Sequence, residues 1–232
     1  MNKPMIFAIG DIHGCLEKLE SLLAACDTVR GSRSARFIFL GDFIDRGPRS
    51  KDVLDLLIKG GGGRDRDFVC LRGNHEEMLI RAANRDRSDR DLMTWWGNGG
   101  EATLESYGVD DPSDLPVEHL AWLRSLPLKT SDDHRMFVHA GIRPGISLSS
   151  QSGEDLLWIR EPFLSSEEDH GILVVHGHTP TRNQKPDLKP NRINIDTGAC
   201  FGGPLTAAVF SDEIVTPLFF IRDSGEILTP SE

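Results

Sequence analysis

Ten polar residues stand where short apolar runs give way to loops: Asp11, His13, Asp42, Asp45, Arg46, Asn74, His75, His139, His176 and His178. All but Arg46 carry a carboxylate, an imidazole or an amide, the donors that hard and borderline divalent cations take. None has an evident partner on the face of a helix. Two such ions held close together stabilise the attacking and leaving oxygens of an in-line displacement, and a bridging carboxylate must join them. Asp42 lies between the other loops in chain order and is placed for that bridge. The turn GDFIDRGP (41–48) also sets Asp45 beside Arg46. These two could pair in solvent, which is worth about 0–1 kcal/mol, or they could hold something charged.

These loops need elements to position them. Met5 to Ile9, Phe37 to Leu40 and Phe68 to Leu71 are short apolar runs that predict buried strands. Between them, Leu16, Leu19, Leu22 and Leu23 recur at helical spacing within Cys15 to Cys26. SKDVLDLLIK (50–59) predicts a second helix with Ser50 as N-cap, terminated by the run Gly60 to Gly63. A third helix opens at His75 and runs to Ala83, with Glu76 and Glu77 favourably charged in its first turn. Alternating strands and helices imply a βαβ core with parallel strands. Ligands of open α/β sheets gather at the carboxyl ends of strands, so loops at equivalent ends converge.

Residues 86–130 break this alternation. They contain WWGNGG (95–100), read as a turn, and the amphipathic stretch VEHLAWLRSL (117–126), and they predict a helical insertion over one side of the site. The charged run RAANRDRSDRD (81–91) predicts a solvated face. Met136 to Val138, Ile172 to Val175, Arg192 to Ile195, Leu205 to Phe210 and Ile214 to Phe220 predict strands with few helices between, either antiparallel additions or a second sheet.

The bulk numbers set outer limits. A chain of 232 residues can bury a large core around one sheet system. A net charge of −10 argues against non-specific nucleic-acid or anionic-membrane binding, although a metal ion can reverse the sign of a pocket locally. Four scattered cysteines without a CxxC pair suit a reducing compartment, and MNKPMIFAIGD lacks the shape of a signal peptide, so the expected location is the cytoplasm.

GDIHG, GDFIDRGP, GNHE, HAG and GHTP, in this order, resemble the signature of the calcineurin-like metallophosphoesterases, and more narrowly the compact bacterial and phage members of the phosphoprotein phosphatase family. The motifs span residues 10–180, and IDTGACFGGPLTA (195–207) adds a late match. The resemblance implies a fold of mixed α/β class: a central β-sandwich of mixed sheets flanked by helices, four layers in αββα order. One domain would cover residues 1–232, with the insertion at about 86–130. It implies two divalent metal ions, with Mn²⁺ expected first and iron or zinc as alternatives. Asp11 and His13 would bind one ion, Asn74, His139 and His178 the other, and Asp42 both. His75 would be the general acid, oriented by Asp45. Arg46 and Arg160, the latter in LLWIRE (156–161), would hold phosphate oxygens.

Each type suits its task. Guanidinium forks match phosphoryl oxygens. A serine leaving group needs a proton, which an imidazolium held by a carboxylate supplies near neutral pH. The implied activity is hydrolysis of phosphoserine and phosphothreonine in proteins or of small phosphoesters. Symmetrical bis(5'-nucleosyl)-tetraphosphate hydrolases share these motifs and this size, and WWGNGGEATLESYG (95–108) could belong to a base pocket. LLWIRE and HGHTP favour the protein phosphatase. A non-enzymatic metal-binding module would suit a chain lacking His75 or Arg46, and both are present.

The remaining candidates receive plainer readings. His176 is expected to support the site rather than ligate, Cys15 to pack at a helix start, and Trp95 and Trp96 to fill the core of the insertion. His119, His134 and His170 are expected in solvent. The tyrosine of the large eukaryotic members is missing from the late motif, where Cys200 and Phe201 stand instead. The chain is also short for their regulatory grooves, which argues against control by large partner subunits.

Overall fold

The computed structural model describes residues 4–60 and 65–230, so most of the glycine run expected to end the second helix lies outside the described residues. Strand β1 (Met5–Ile9) pairs in parallel with β2 (Ala35–Phe39), and β2 with β3 (Arg66–Cys70). Helices α1 (Leu16–Arg30) and α2 (Ser50–Ile58) make the crossovers, and α3 (Asn74–Ala82) follows β3. On the far side of β1 the sheet continues antiparallel through β9 (Thr206–Phe210), β10 (Phe219–Arg222) and β11 (Ile227–Leu228). The order of this sheet is β11-β10-β9-β1-β2-β3.

A second sheet has the order β4-β5-β6-β8-β7. Its centre, β5 (Arg135–Val138), β6 (Leu173–His176) and β8 (Arg192–Asn194), is parallel. Its edges, β4 (Lys129–Ser131) and β7 (Asp187–Leu188), run antiparallel. The parallel centre was not read from the sequence, which pointed only to late antiparallel additions or a second sheet. Helix α7 (Gly153–Trp158), lying in the connection between β5 and β6, is the element missed there.

The period-two alternation of strand side chains builds the layers. In β1, Phe7 and Ile9 face the helices and pack with Leu19, Leu22, Val53 and Leu54, while Ile6 and Ala8 face the other sheet and pack with Phe137, Val175 and Ile193. On the outer face of the second sheet, Met136, Val138 and Val174 meet Leu156 and Phe163. Each fully buried side chain of this kind contributes about 1.5–3 kcal/mol of transfer free energy. The result is helix, sheet, sheet, helix, the mixed α/β sandwich that the resemblance implied.

Four local expectations change. Ser50 is the first residue of α2 rather than its cap, and it is fully buried. WWGNGG is a π-helical turn (Trp96–Gly100) joining α4 (Asp89–Trp95) to α5 (Glu101–Tyr107). The strand expected from Ile214 begins at Phe219, because 214–218 is irregular chain with Ile214 and Val215 exposed. His119, in α6 (Val117–Ser125), is buried rather than solvated: Tyr107 Oη lies 2.6 Å from its Nδ1 and Asp55 lies 3.3 Å from its Nε2. No helix among the described residues is long and apolar enough to cross a membrane.

Candidate active site

Parallel strands put their carboxyl ends on one edge. The loops after β1, β2 and β3 therefore meet those after β5, β6 and β8 across the top of the sandwich. Asp11, His13, Asp42, Asp45, Asn74, His75, His139 and His178 are all buried there, with at most 8% exposure. The backbone is bent to aim them. His13, Asp42, Asp45, Arg46 and His178 have φ between 46° and 69°, and only one other non-glycine residue, Gln184, shares that sign among the described residues. Left-handed backbone at such positions costs on the order of 1–3 kcal/mol each, so the surrounding structure must enforce it.

Glu76 does much of that enforcing. Its carboxylate accepts the N–H groups of Asp42 and Gly73, each at 2.8 Å, and that of Phe43 at 2.7 Å. Glu76 stands in the first turn of α3, where a negative charge was expected, and it is also fully buried; burial, with Asp42 nearby, pushes its carboxyl up to about 7. Gly73 is required beside it, since a Cβ there would stand 2.2 Å from Asp42 Oδ1.

The potential ligand atoms fall into two groups among the described residues: His13, Asp42 and His75, and Asp42, His139 and His178. Asp42 belongs to both, as its position in the chain suggested. His75 rather than Asp11 completes the tighter first group, because its Nε2 reaches within 3.9 Å of Asp42 Oδ2. Asp11 is buried next to them and accepts the His178 N–H at 3.1 Å. Asn74 Oδ1 lies 2.8 Å from His139 Nε2 and 2.9 Å from His178 Nδ1.

These contacts test whether the residues fit a cation. His139 Nδ1 donates to the Leu40 carbonyl at 3.0 Å, which leaves Nε2 with its lone pair. That lone pair faces Asn74 Oδ1 at 2.8 Å and Asp42 Oδ1 at 3.4 Å, three electron-rich atoms with no proton between them. His13 has the same tautomer: Nδ1 donates to the Ile44 carbonyl at 2.8 Å, so its Nε2 is an acceptor, and here it takes a proton from Arg46 Nη1 at 2.7 Å. Burial lowers the pKa of His13 and of His178 to about 3 and lowers that of His139, keeping all three neutral as ligation requires. Burial opposes ionisation of Asp42, but the imidazoles around it, which gain charge as the pH falls, outweigh burial there and hold the group well below the usual carboxylate range. The donor set therefore fits divalent cations.

A second cluster surrounds Asp45. His75 Nδ1 donates to Asp45 Oδ2 at 2.7 Å, so the Nε2 of His75 is the nitrogen turned toward the cleft. Burial pulls the His75 pKa down, but Asp42 and Asp45 together outweigh it and hold the imidazole above its ordinary value. Burial raises the Asp45 carboxyl, which makes it a stronger acceptor for the shared proton. Thr103 Oγ1 and Trp95 Nε1 also donate to this carboxylate, at 2.7 and 3.0 Å. The Asp45 N–H donates to Ser50 Oγ at 3.1 Å. Trp95 is fully buried, as a core residue should be, but it also orients Asp45, which its sequence context did not signal; Trp96 is 46% exposed and packs no core.

Arg46 is exposed above the cluster. Its N–H donates to the Gly99 carbonyl at 3.0 Å, its Nη1 donates to His13 Nε2 at 2.7 Å, and its guanidinium lies over the Phe201 ring at 5.3 Å. Gly99 is needed at that contact, with φ at 98° and a notional Cβ 2.9 Å from Arg46 Cγ. Arg160 is exposed, and its charge helps depress His178. His176 is fully buried against Phe163 and is not part of either ligand group.

Asp196 was missed. It follows β8 as the other site residues follow their strands, and the stretch IDTG was the available signal. It is buried in hydrogen-bond contact with Asp11. Burial raises both carboxyls; the charge of Asp196 adds to the rise at Asp11, and that of Asp42 adds to the rise at Asp196, which reaches about 7. Facing carboxyls of this kind do not both ionise without a cation.

Residues 4–206 match the family model described as calcineurin-like phosphoesterase. The chain belongs to the calcineurin-like metallophosphoesterase family, hydrolases that use a dinuclear divalent metal centre. It is 32% identical to serine/threonine-protein phosphatase 1 of Salmonella typhimurium, over 88% of this chain and 90% of that protein. It is also 28% identical to the asymmetrical bis(5'-nucleosyl)-tetraphosphatase PrpE of Oceanobacillus iheyensis, with 88% of each chain covered. Among solved structures, the cold-active protein-tyrosine phosphatase of a psychrophilic Shewanella shares the fold, with a TM-score of 0.66 at 16% identity, covering 99% of this chain and 80% of that one.

Proposed function

We propose that this metallophosphoesterase removes phosphate from phosphoserine and phosphothreonine in proteins, in the cytoplasm, with Mn²⁺ supporting activity in vitro. The observation that carries this reading is the buried His75–Asp45 pair opening beside Asp42, with Nδ1 to Oδ2 at 2.7 Å. The alkoxide leaving from a serine phosphate is strongly basic and must be protonated, whereas a phosphoanhydride releases a far more acidic group. A proton donor held above its ordinary pKa suits the first task. The likeness to a bacterial serine/threonine phosphatase over 88% of this chain supports the same choice.

Asp11, His13 and Asp42 would hold one divalent ion, and Asp42, Asn74, His139 and His178 the other. The ions would supply Lewis-acid charge to the phosphoryl oxygens and a water acidified toward neutrality. Arg46 turns from His13 Nε2 to the phosphoryl oxygens, and Arg160 takes them from the side of His178. His75 Nε2 gives its proton to the leaving oxygen while Asp45 keeps the ring in place through Nδ1. Trp95 and Thr103 fix Asp45 in turn, so α4 and α5 serve as an insertion that positions the acid within one catalytic domain.

The likeness to a bis(5'-nucleosyl)-tetraphosphatase favours a second reading, hydrolysis of dinucleoside tetraphosphates, whether symmetrical or asymmetrical. Metal-stripped protein reconstituted with Mn²⁺ and offered a phosphoserine peptide or diadenosine tetraphosphate separates the two. A higher kcat/KM on the peptide is expected. A strong preference for the dinucleotide overturns the proposal.

A further inference from the structure

Beyond His178 the chain 179–187 folds over the end of β8 and bounds a cavity of about 530 Å³. Its lining includes Leu164, Thr179, Thr181, Arg182, Arg192 and Asn194. Arg192 is only 4% exposed. Its Nη2 donates to the Leu164 carbonyl at 2.8 Å and its Nη1 lies 2.9 Å from Asp187, but Nε has no hydrogen-bond partner among the described residues. The buried Oγ1 atoms of Thr179 and Thr181 have none either. Folded interiors rarely leave so many polar groups unpaired in one place.

Each of the unpaired groups can donate a hydrogen bond. A guanidinium N–H and two hydroxyls, with the exposed Arg182 beside them, offer protons to whatever enters. Asp187, the acid on this wall, is within ion-pair distance of both Arg192 and Lys189. The complementary ligand is a multiply charged oxyanion, which guanidinium forks and hydroxyls bind with charge-assisted bonds. The cavity wall is tied to the site through the chain. Thr179 directly follows His178, and Asn194, which donates to the Thr179 carbonyl at 2.7 Å, lies two residues before Asp196.

We propose that this cavity binds a second phosphate-class oxyanion, distinct from the phosphoryl group hydrolysed over Asp42. Such an anion is either a further phosphate on the same substrate or free inorganic phosphate.

Two measurements test it on the full chain loaded with Mn²⁺. Crystals soaked in sodium tungstate should give an anomalous peak against Thr181 and Arg192 in addition to one in the cleft. In solution, kcat/KM is compared for singly and doubly phosphorylated peptides in wild type and in Thr181→Val/Arg182→Gln. These changes spare the buried Arg192, and an unpaired hydroxyl with no ligand should tolerate the valine. A tethered second phosphate predicts that the preference for the doubly phosphorylated peptide falls about tenfold in the variant, as for loss of one charged hydrogen bond. Free phosphate predicts instead a non-competitive component in phosphate inhibition of p-nitrophenyl phosphate hydrolysis, absent from the variant. The tungstate and p-nitrophenyl phosphate arms stand whether or not proteins are the natural substrate. No second peak overturns the proposal. So does a peak with neither kinetic effect, which would mark an adventitious ion only.

Discussion

Asp45→Asn separates general-acid catalysis from simple burial of a histidine. The carboxylate takes three donors: His75 Nδ1 at 2.7 Å, Thr103 Oγ1 at 2.7 Å and Trp95 Nε1 at 3.0 Å. Asparagine keeps the shape and one acceptor oxygen but loses the charge that stabilises the His75 imidazolium. A hydrogen bond to a charged group is worth about 1.5–3 kcal/mol, so kcat on a phosphoserine peptide should fall roughly 10- to 150-fold with KM little changed. The pH profile gives the sign. His75 acts in its protonated form, which Asp42 and Asp45 hold above the ordinary pKa against burial, so kcat falls as pH rises through that value. Removing one of the two carboxylate charges lowers the pKa, and the alkaline limb of kcat should move to lower pH. The loss should shrink on p-nitrophenyl phosphate, whose leaving group departs without a proton. Equal losses on both substrates, with an unmoved alkaline limb, would refute the assignment of His75 and leave Asp45 a structural residue.

Other consequences follow from the packing. Gly73→Ala forces a Cβ to within 2.2 Å of Asp42 Oδ1 and should reduce activity at least about a hundredfold, the scale of a misplacement of about 1 Å, while circular dichroism remains native. Phe7→Ala empties a fully buried position stacked on Phe37 with ring centroids 5.0 Å apart; urea denaturation should show about 3–5 kcal/mol lost. Mn²⁺ at a hundredfold excess over its dissociation constant should add about 2.7 kcal/mol to folding stability. That is a rise in Tm of about 5–10 °C for a chain of this size, reversed by chelation and absent from Asp42→Asn.

The clustering of the candidate ligands was legible because they follow the strands in short loops, and local sequence reports such loops well. GDIHG, GDFIDRGP and GNHE each sit directly after β1, β2 and β3, so motif and position agree. What stayed hidden depends on contacts between distant segments. Glu76 reads as a helix-start charge until the loop after β2 folds onto it, and its bonds to Asp42 and Phe43 span 34 and 33 residues. Thr103 and Trp95 look like ordinary helix residues, yet they reach Asp45 across 58 and 50 residues. The same limit applies to His119, whose polar neighbours in sequence suggest solvent while Tyr107 and Asp55 from other helices enclose it. The parallel centre of the second sheet was obscured because β5, β6 and β8 are three or four residues long and joined largely by irregular chain.

The account turns on one physical claim, that six strand-end loops assemble a cage for two divalent ions with Asp42 shared between them. The most direct measurement is an anomalous difference map from crystals of the Mn²⁺-loaded protein. Two peaks separated by about 3.5–4 Å, one on each side of the Asp42 carboxylate and touching His13 and His139 respectively, are the result the account predicts. A single peak, or manganese bound only to surface carboxylates, would contradict it.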